Sequence, residues 1–139
     1  MILIENNTNC PMDVKVMETI AQSFSDKDIE LMIVGDEEMK LINKQTRNID
    51  QSTDVLSFPL EPMEHVPLGS IIINEKKVQD VASTLGHSEQ EEVTLLFIHG
   101  LLHLLGFDHE TDDGTMREKE KEIITTYNLP KSLIVRTEG

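Results

Sequence analysis

The chain has 139 residues, which predicts one small domain spanning residues 1–139. Only 4% of the residues are aromatic and there is no Trp, so aliphatic side chains and seven Met must fill the core. The net charge of −14, from 26 acidic and 12 basic residues, excludes a protein that coats nucleic acid with a generally basic surface.

The sequence has no apolar run close to the length of a membrane-spanning helix, which needs roughly 20 residues. It also shows no basic residue before its first apolar run and only one cysteine. We therefore expect a cytoplasmic protein without a signal, a membrane association or disulfides within the chain.

Apolar periodicity predicts strands and helices in the order βαβαββααα. Strands and helices are mixed and one strand pair resembles a hairpin, so an α+β domain with a small mixed sheet is expected. The strands are predicted at Ile2–Glu5, Ile29–Val34, Thr53–Phe58 and Gly69–Ile73. The helices are predicted from Pro11, from Asp36 as N-cap to Thr46, over Glu75–Leu85, from Ser88 to Leu105, and over Thr115–Tyr127.

The fourth predicted helix is the most informative segment. Ser88 and Glu91 form a capping-box pattern that predicts its start, and Gly106 is suited to its end. Between them the sequence is apolar nearly all round, which is typical of a helix buried on every side. This helix is therefore expected at the centre of the domain, with the sheet packed against it.

Three histidines fall within eleven residues of this region. His99 and His103 are four residues apart, so both imidazoles leave the same helix face about one turn apart. Gly106 allows the chain to turn, and His109 can return as a third ligand. Three imidazoles leave a fourth position open for water or substrate, which is typical of a catalytic zinc site; nickel, cobalt or another divalent ion is also compatible. The alternative is a set of hydrogen-bonded core histidines without a metal.

The same spacing occurs in the metzincin metallopeptidases, where a Glu general base follows the first histidine. Here that position is Gly100, so a peptidase lacks its usual base and is the least favoured function. Asp108 and Glu110 flank His109, and these carboxylates could replace the base or orient the metal ligands from behind.

The segment His-Gly-Leu-Leu-His-Leu-Leu-Gly-Phe-Asp-His, His99–His109, resembles the signature of the YbeY endoribonuclease family. Three further segments match in the family's order: Asn43–Arg47, Thr53–Pro59 and Leu68–Gly69. Together the matches cover residues 41–110. The family usually carries an Asp after the Leu-Gly pair, whereas this chain has Ser70.

The resemblance implies a zincin-like domain and a metal-dependent endoribonuclease that is selective for single-stranded RNA. It implies a role in ribosomal RNA processing, including 3′-end maturation of the small-subunit RNA and ribosome quality control. One Zn²⁺ held by His99, His103 and His109 is implied, with Arg47 as a functional arginine, so these four residues are the expected catalytic set. The implied partners are single-stranded ribosomal RNA and the small ribosomal subunit with its proteins.

Lys40, Lys44 and Arg47 are spaced to form one basic stripe on a helix. This stripe is the best candidate in an acidic chain to bind a phosphate backbone, and the Arg guanidinium suits phosphate. The alternative is a solvated helix face whose lysines pair with Asp36 and Glu37.

Two further expectations concern substrate and partner. Ser57, within a predicted strand, could contact substrate, although strand packing also explains it. The acidic remainder predicts weak, salt-dependent binding to free RNA and docking on a basic ribosomal surface. A metal-stabilised ribosome assembly factor that does not cleave RNA therefore remains an alternative to the nuclease.

Overall fold

The computed structural model describes residues 1–61, 63–107 and 115–129. The elements follow the predicted order. They are β1 (Ile2–Asn6), α1 (Val14–Gln22), β2 (Ile29–Val34), α2 (Asp36–Arg47), β3 (Val55–Pro59), β4 (Gly69–Asn74), α3 (Glu75–Leu85), α4 (Glu89–Leu104) and α5 (Thr115–Thr126). None of the helices in these ranges is long and apolar enough to cross a membrane.

The four strands form one mixed sheet in the order β1-β2-β4-β3. β1, β2 and β4 are parallel, and β3 runs antiparallel to β4 with Ser57 opposite Ile71. The predicted α+β class with a small mixed sheet and one antiparallel pair is thus confirmed. β3 is an edge strand, where Pro59 at its end removes no hydrogen bond needed by a further strand.

α4 lies on one face of the sheet and forms the centre of the domain. Every residue from Glu92 to Leu102 is buried, and the helix packs against β3, β4, α1, α3 and α5. Ser88 and Glu91 form the predicted capping box, with hydrogen bonds of 3.0 Å and 2.9 Å. The helix lies close to the sheet at Gly100, where an added Cβ would be 3.0 Å from Cγ2 of Ile71. The predicted buried central helix is confirmed.

The opposite face of the sheet carries a second, smaller core. Met39 of α2 packs there with Val34, Leu56 and Ile72. These strand residues alternate with Ile33, Ile71 and Ile73, which belong to the core on the α4 side. α2 and α4 therefore pack on opposite faces of the sheet.

Three predicted element starts differ from the structure, and the predicted ends of β1, α2, β3, β4, α4 and α5 each differ by one residue. α1 begins at Val14 rather than Pro11, because the Asp13 side chain caps it by accepting from Val16 N at 3.3 Å. β3 begins at Val55 rather than Thr53. The N-cap of α2 is Gly35 and not Asp36; Asp36 is the first helical residue, and its carboxylate binds side chains of other segments instead.

Candidate metal and RNA site

α4 brings His99 and His103 together as their spacing predicts. Their Nε2 atoms are 3.2 Å apart, and the rings meet edge to face with centroids 4.7 Å apart. His99 is buried, with 6% of its surface exposed, and His103 is half-buried. The third predicted ligand, His109, and the flanking carboxylates Asp108 and Glu110 lie outside the described residues.

The spacing of the two nitrogens fits a shared metal ion. Two imidazole nitrogens bound tetrahedrally to one zinc at 2.0–2.1 Å are about 3.3 Å apart. The observed 3.2 Å between the Nε2 atoms agrees with that value. In the described ranges no group of three or more His, Cys, Asp or Glu side chains could hold a metal ion, so the three-histidine site remains a prediction.

A buried carboxylate that the sequence analysis missed lies behind His99. Glu120 of α5 has 0% exposure, and its Oε2 is 3.6 Å from Nδ1 of His99. Met116 and Ile123, four residues before and three after, are buried on the same side of α5. The sequence does contain a signal for Glu120, since it is an acidic residue on an apolar helix stripe, and acidic residues are normally exposed to solvent.

The basic stripe lies on the exposed surface of α2. Lys40, Lys44 and Arg47 are exposed, and among the described residues none of them pairs with Asp36 or Glu37. The pairing that the alternative assumed is therefore not seen, whereas the exposed positions are compatible with a solvated helix face. Their role in RNA binding remains a prediction.

The structure does not bring Arg47 into contact with the histidine pair. Their helices pack on opposite faces of the sheet, and no hydrogen bond or ion pair joins them in the described part of the chain. β3 is an edge strand that packs against α4 on one face, and on the other face its Leu56 shares a core with Met39 of α2. Ser57 is half-buried on β3, on the α4 side of the sheet, opposite Ile71.

The loop that follows Arg47 is fixed at its middle by a buried asparagine. Asn43 of α2 is 3% exposed, and its Nδ2 donates to the carbonyl of Gln51 at 2.8 Å. Asn48 ends α2 in the left-handed conformation, with φ of 58°, which reverses the chain directly after Arg47. The chain that follows Arg47 is therefore anchored back to α2.

The end of this loop is held by a second buried asparagine. Asn74 is fully buried, and its Nδ2 donates to Oδ1 of Asp36 and to Oγ of Ser52, both at 2.8 Å. Ser52 Oγ also donates to Asp36 Oδ1 at 2.7 Å. The hydrogen bonds from Asn74, and then from Ser52, hold the pKa of Asp36 below its ordinary value of 3.8.

Asp36→Asn is expected to lower the free energy of unfolding at neutral pH. In acid the same substitution should have little effect. Because the folded pKa lies below the unfolded one, ionised Asp36 stabilises the fold above its ordinary pKa. That contribution is lost as the pH falls through the ordinary value toward the folded one. Urea unfolding at about pH 6.5 and about pH 3 measures the change. Asp50→Asn in the exposed loop is the control. If Asp36→Asn lowered the free energy of unfolding by the same amount at both pH values, the expectation would be contradicted.

Comparison with known proteins decides the family. The family model "Endoribonuclease YbeY" matches residues 5–128 of this chain. The chain belongs to the YbeY family. The match includes Arg47, His99, His103 and Glu120, and it confirms the resemblance found in the sequence.

Several YbeY proteins are similar over most of the chain. A Nitratiruptor protein named Endoribonuclease YbeY is 54% identical over 138 residues, covering 99% of this chain and 96% of its own. A Campylobacter jejuni protein of the same name is 59% identical over 122 residues, covering 87% and 90%. The solution structure of a Thermotoga maritima protein matches with a TM-score of 0.62 and 30% identity over 92% of each chain.

Ser70, the position at which the sequence departs from the resemblance, lies on the sheet face opposite α4. It is aligned with Glu30 of the neighbouring strand β2, and both line a groove with Glu5 of β1. A carboxylate is therefore present beside this position, although it comes from a different strand.

Proposed function

We propose that this chain is a metal-dependent endoribonuclease that cuts single-stranded RNA and acts in ribosomal RNA processing. Membership of the YbeY family supports the nuclease activity. The observation that carries the metal dependence is the convergence of the His99 and His103 Nε2 atoms at 3.2 Å on a buried helix. Zn²⁺ is the proposed ion, with His109 as its third ligand, and nickel or another divalent ion could replace it.

The proposed chemistry divides between the metal ligands and the basic stripe. An ion bound at the histidines would polarise a phosphate oxygen or lower the pKa of a water molecule. Arg47 would place its guanidinium against the scissile phosphate and stabilise the negative charge that develops there. Lys40 and Lys44 would bind neighbouring phosphates. The nucleophile is either water or the 2′-hydroxyl of the RNA, and a 2′,3′-cyclic phosphate product would identify the latter.

The arrangement of the site supports a preference for single strands. RNA that contacts both Arg47 and the histidines would run over the β3 edge, past Ser57. A single strand is flexible enough to bend around this edge, whereas a duplex is stiff and hides its base edges in a deep groove. Ser57 is therefore a candidate substrate contact.

The acidity of the chain favours a partner that supplies positive charge. At a net charge of −14, free RNA is repelled except along the basic stripe. A basic protein surface of the small ribosomal subunit would overcome this repulsion. The same acidity supports the second candidate, an assembly factor that binds the subunit and does not cleave RNA.

The test is cleavage of a labelled single-stranded RNA and its duplex by untagged protein. We expect cutting of the single strand and sparing of the duplex. We also expect loss of activity after chelation and recovery when Zn²⁺ is added back. Cutting that survives chelation would overturn the metal dependence. Absence of cutting in the zinc-loaded protein would favour the assembly factor.

A further inference from the structure

The carboxylate of Glu120 is an unusual group for its position. It has 0% exposure, and neither oxygen accepts a hydrogen bond from a described residue. Burial disfavours a charged carboxylate unless a partner compensates for the lost water. A helix that needed only to pack would be better served by an apolar side chain here, as at Met116 and Ile123.

The described surroundings of Glu120 offer one partner. Lys119, its neighbour in sequence, pairs instead with Glu122 at 3.5 Å. The polar group within ion-pair distance is Nδ1 of His99, 3.6 Å from Oε2. The other ring nitrogen of His99, Nε2, is the atom that converges with His103.

The two ring nitrogens of a neutral histidine share one proton. If the proton of His99 were on Nε2, that nitrogen could donate to Nε2 of His103 at 3.2 Å. In that state the proton takes the Nε2 lone pair of His99 and the hydrogen bond engages that of His103, so neither nitrogen is available to a metal ion. A carboxylate at Nδ1 favours the other tautomer, in which the proton is on Nδ1 and the Nε2 lone pair is available.

We propose that Glu120 is a positioning residue that holds the proton of His99 on Nδ1 and so presents Nε2 to the metal ion. This role rests on the metal-dependent function proposed above. It gives α5, which carries none of the predicted ligands, an indirect part in metal affinity. Glu120 acts through His99 and need not touch the substrate.

The variant Glu120→Gln tests the role because it keeps the shape of the side chain and removes its charge. Zn²⁺ affinity is measured by competition with a chromophoric chelator, and the thermal midpoint is measured on metal-free protein. We expect the Zn²⁺ dissociation constant to rise about 10–100-fold. The metal-free midpoint should stay equal or rise, because a buried charge has been removed. Glu118→Gln, an exposed change on the same helix, should alter neither quantity.

A purely structural role predicts the opposite pattern, with a lower metal-free midpoint and unchanged Zn²⁺ affinity, and that result would overturn the proposal. A wild-type chain that binds no Zn²⁺ would overturn the metal-dependent function as well. Wild-type binding with an unaltered Glu120→Gln affinity would overturn the role of Glu120 alone.

A second measurement needs no variant and applies even if Glu120→Gln does not fold. Long-range ¹H–¹⁵N correlation of the metal-free wild-type protein reports the tautomer of each histidine. We expect the proton of His99 on Nδ1. A proton on Nε2 would overturn the proposal.

Discussion

Arg47→Ala is expected to lower the single-turnover rate constant for RNA cleavage by about 10²–10³-fold. The guanidinium is the proposed group that stabilises negative charge on the phosphate in the transition state. Stability should change by less than about 0.5 kcal/mol, because the side chain is exposed and makes no described ion pair. Single-turnover experiments with enzyme in saturating excess over RNA measure the chemical step separately from binding. Urea unfolding of the variant shows whether it is folded.

Two control variants separate charge from geometry at this position. Arg47→Lys keeps the charge but loses the planar fork, so an intermediate rate constant is expected. Lys15→Ala removes an exposed positive charge from α1 and should leave cleavage unchanged. If Arg47→Ala reduced association with the small subunit while cleavage kept its rate constant, the arginine would be a docking residue.

His103→Ala is expected to reduce both metal content and cleavage. Loss of one of the converging nitrogens removes a ligand of the proposed ion. An ion of this kind supplies several kcal/mol to the transition state, so a loss of at least about 10³-fold in rate is expected. The zinc content, measured by elemental analysis, should fall from one ion per chain to well below one. His65→Ala, in an exposed loop outside the cluster, should keep both metal and activity.

Full metal content and activity in His103→Ala would exclude the histidine pair as the metal site. Equal cleavage by wild type, Arg47→Ala and His103→Ala would identify a contaminating nuclease. Because the two residues lie on opposite faces of the sheet and share no described contact, their effects on stability should be independent.

The local elements of the fold could be predicted because their signals are local. β2 and α3 have the predicted bounds, since each is an apolar pattern that ends at Gly35 or Gly86. The strand order could not be predicted. It depends on the parallel pairing of β2 with β4, in which Leu31 lies opposite Ile71, and a pairing between such distant segments has no local signal.

The same distinction applies to the site. The convergence of His99 and His103 follows from helix geometry and was predicted. The bond between Asn74 and Asp36 joins residues 38 positions apart, and the contact of Glu120 with His99 depends on how α5 docks. Neither could be derived from the spacing of residues along one element.

The close contact of α4 with the sheet at Gly100 limits which reactions this helix can support. A Cβ at position 100 would lie 3.0–3.2 Å from the side-chain carbons of Ile71 in β4. A peptidase with this histidine spacing needs a carboxylate at that position. Glutamate there would require the Ile71 side chain to shift by a few tenths of an ångström. It would also place a carboxylate beside an apolar side chain, which is unfavourable. A change of reaction from RNA to peptide cleavage would therefore require repacking around Ile71 in addition to a substitution on α4.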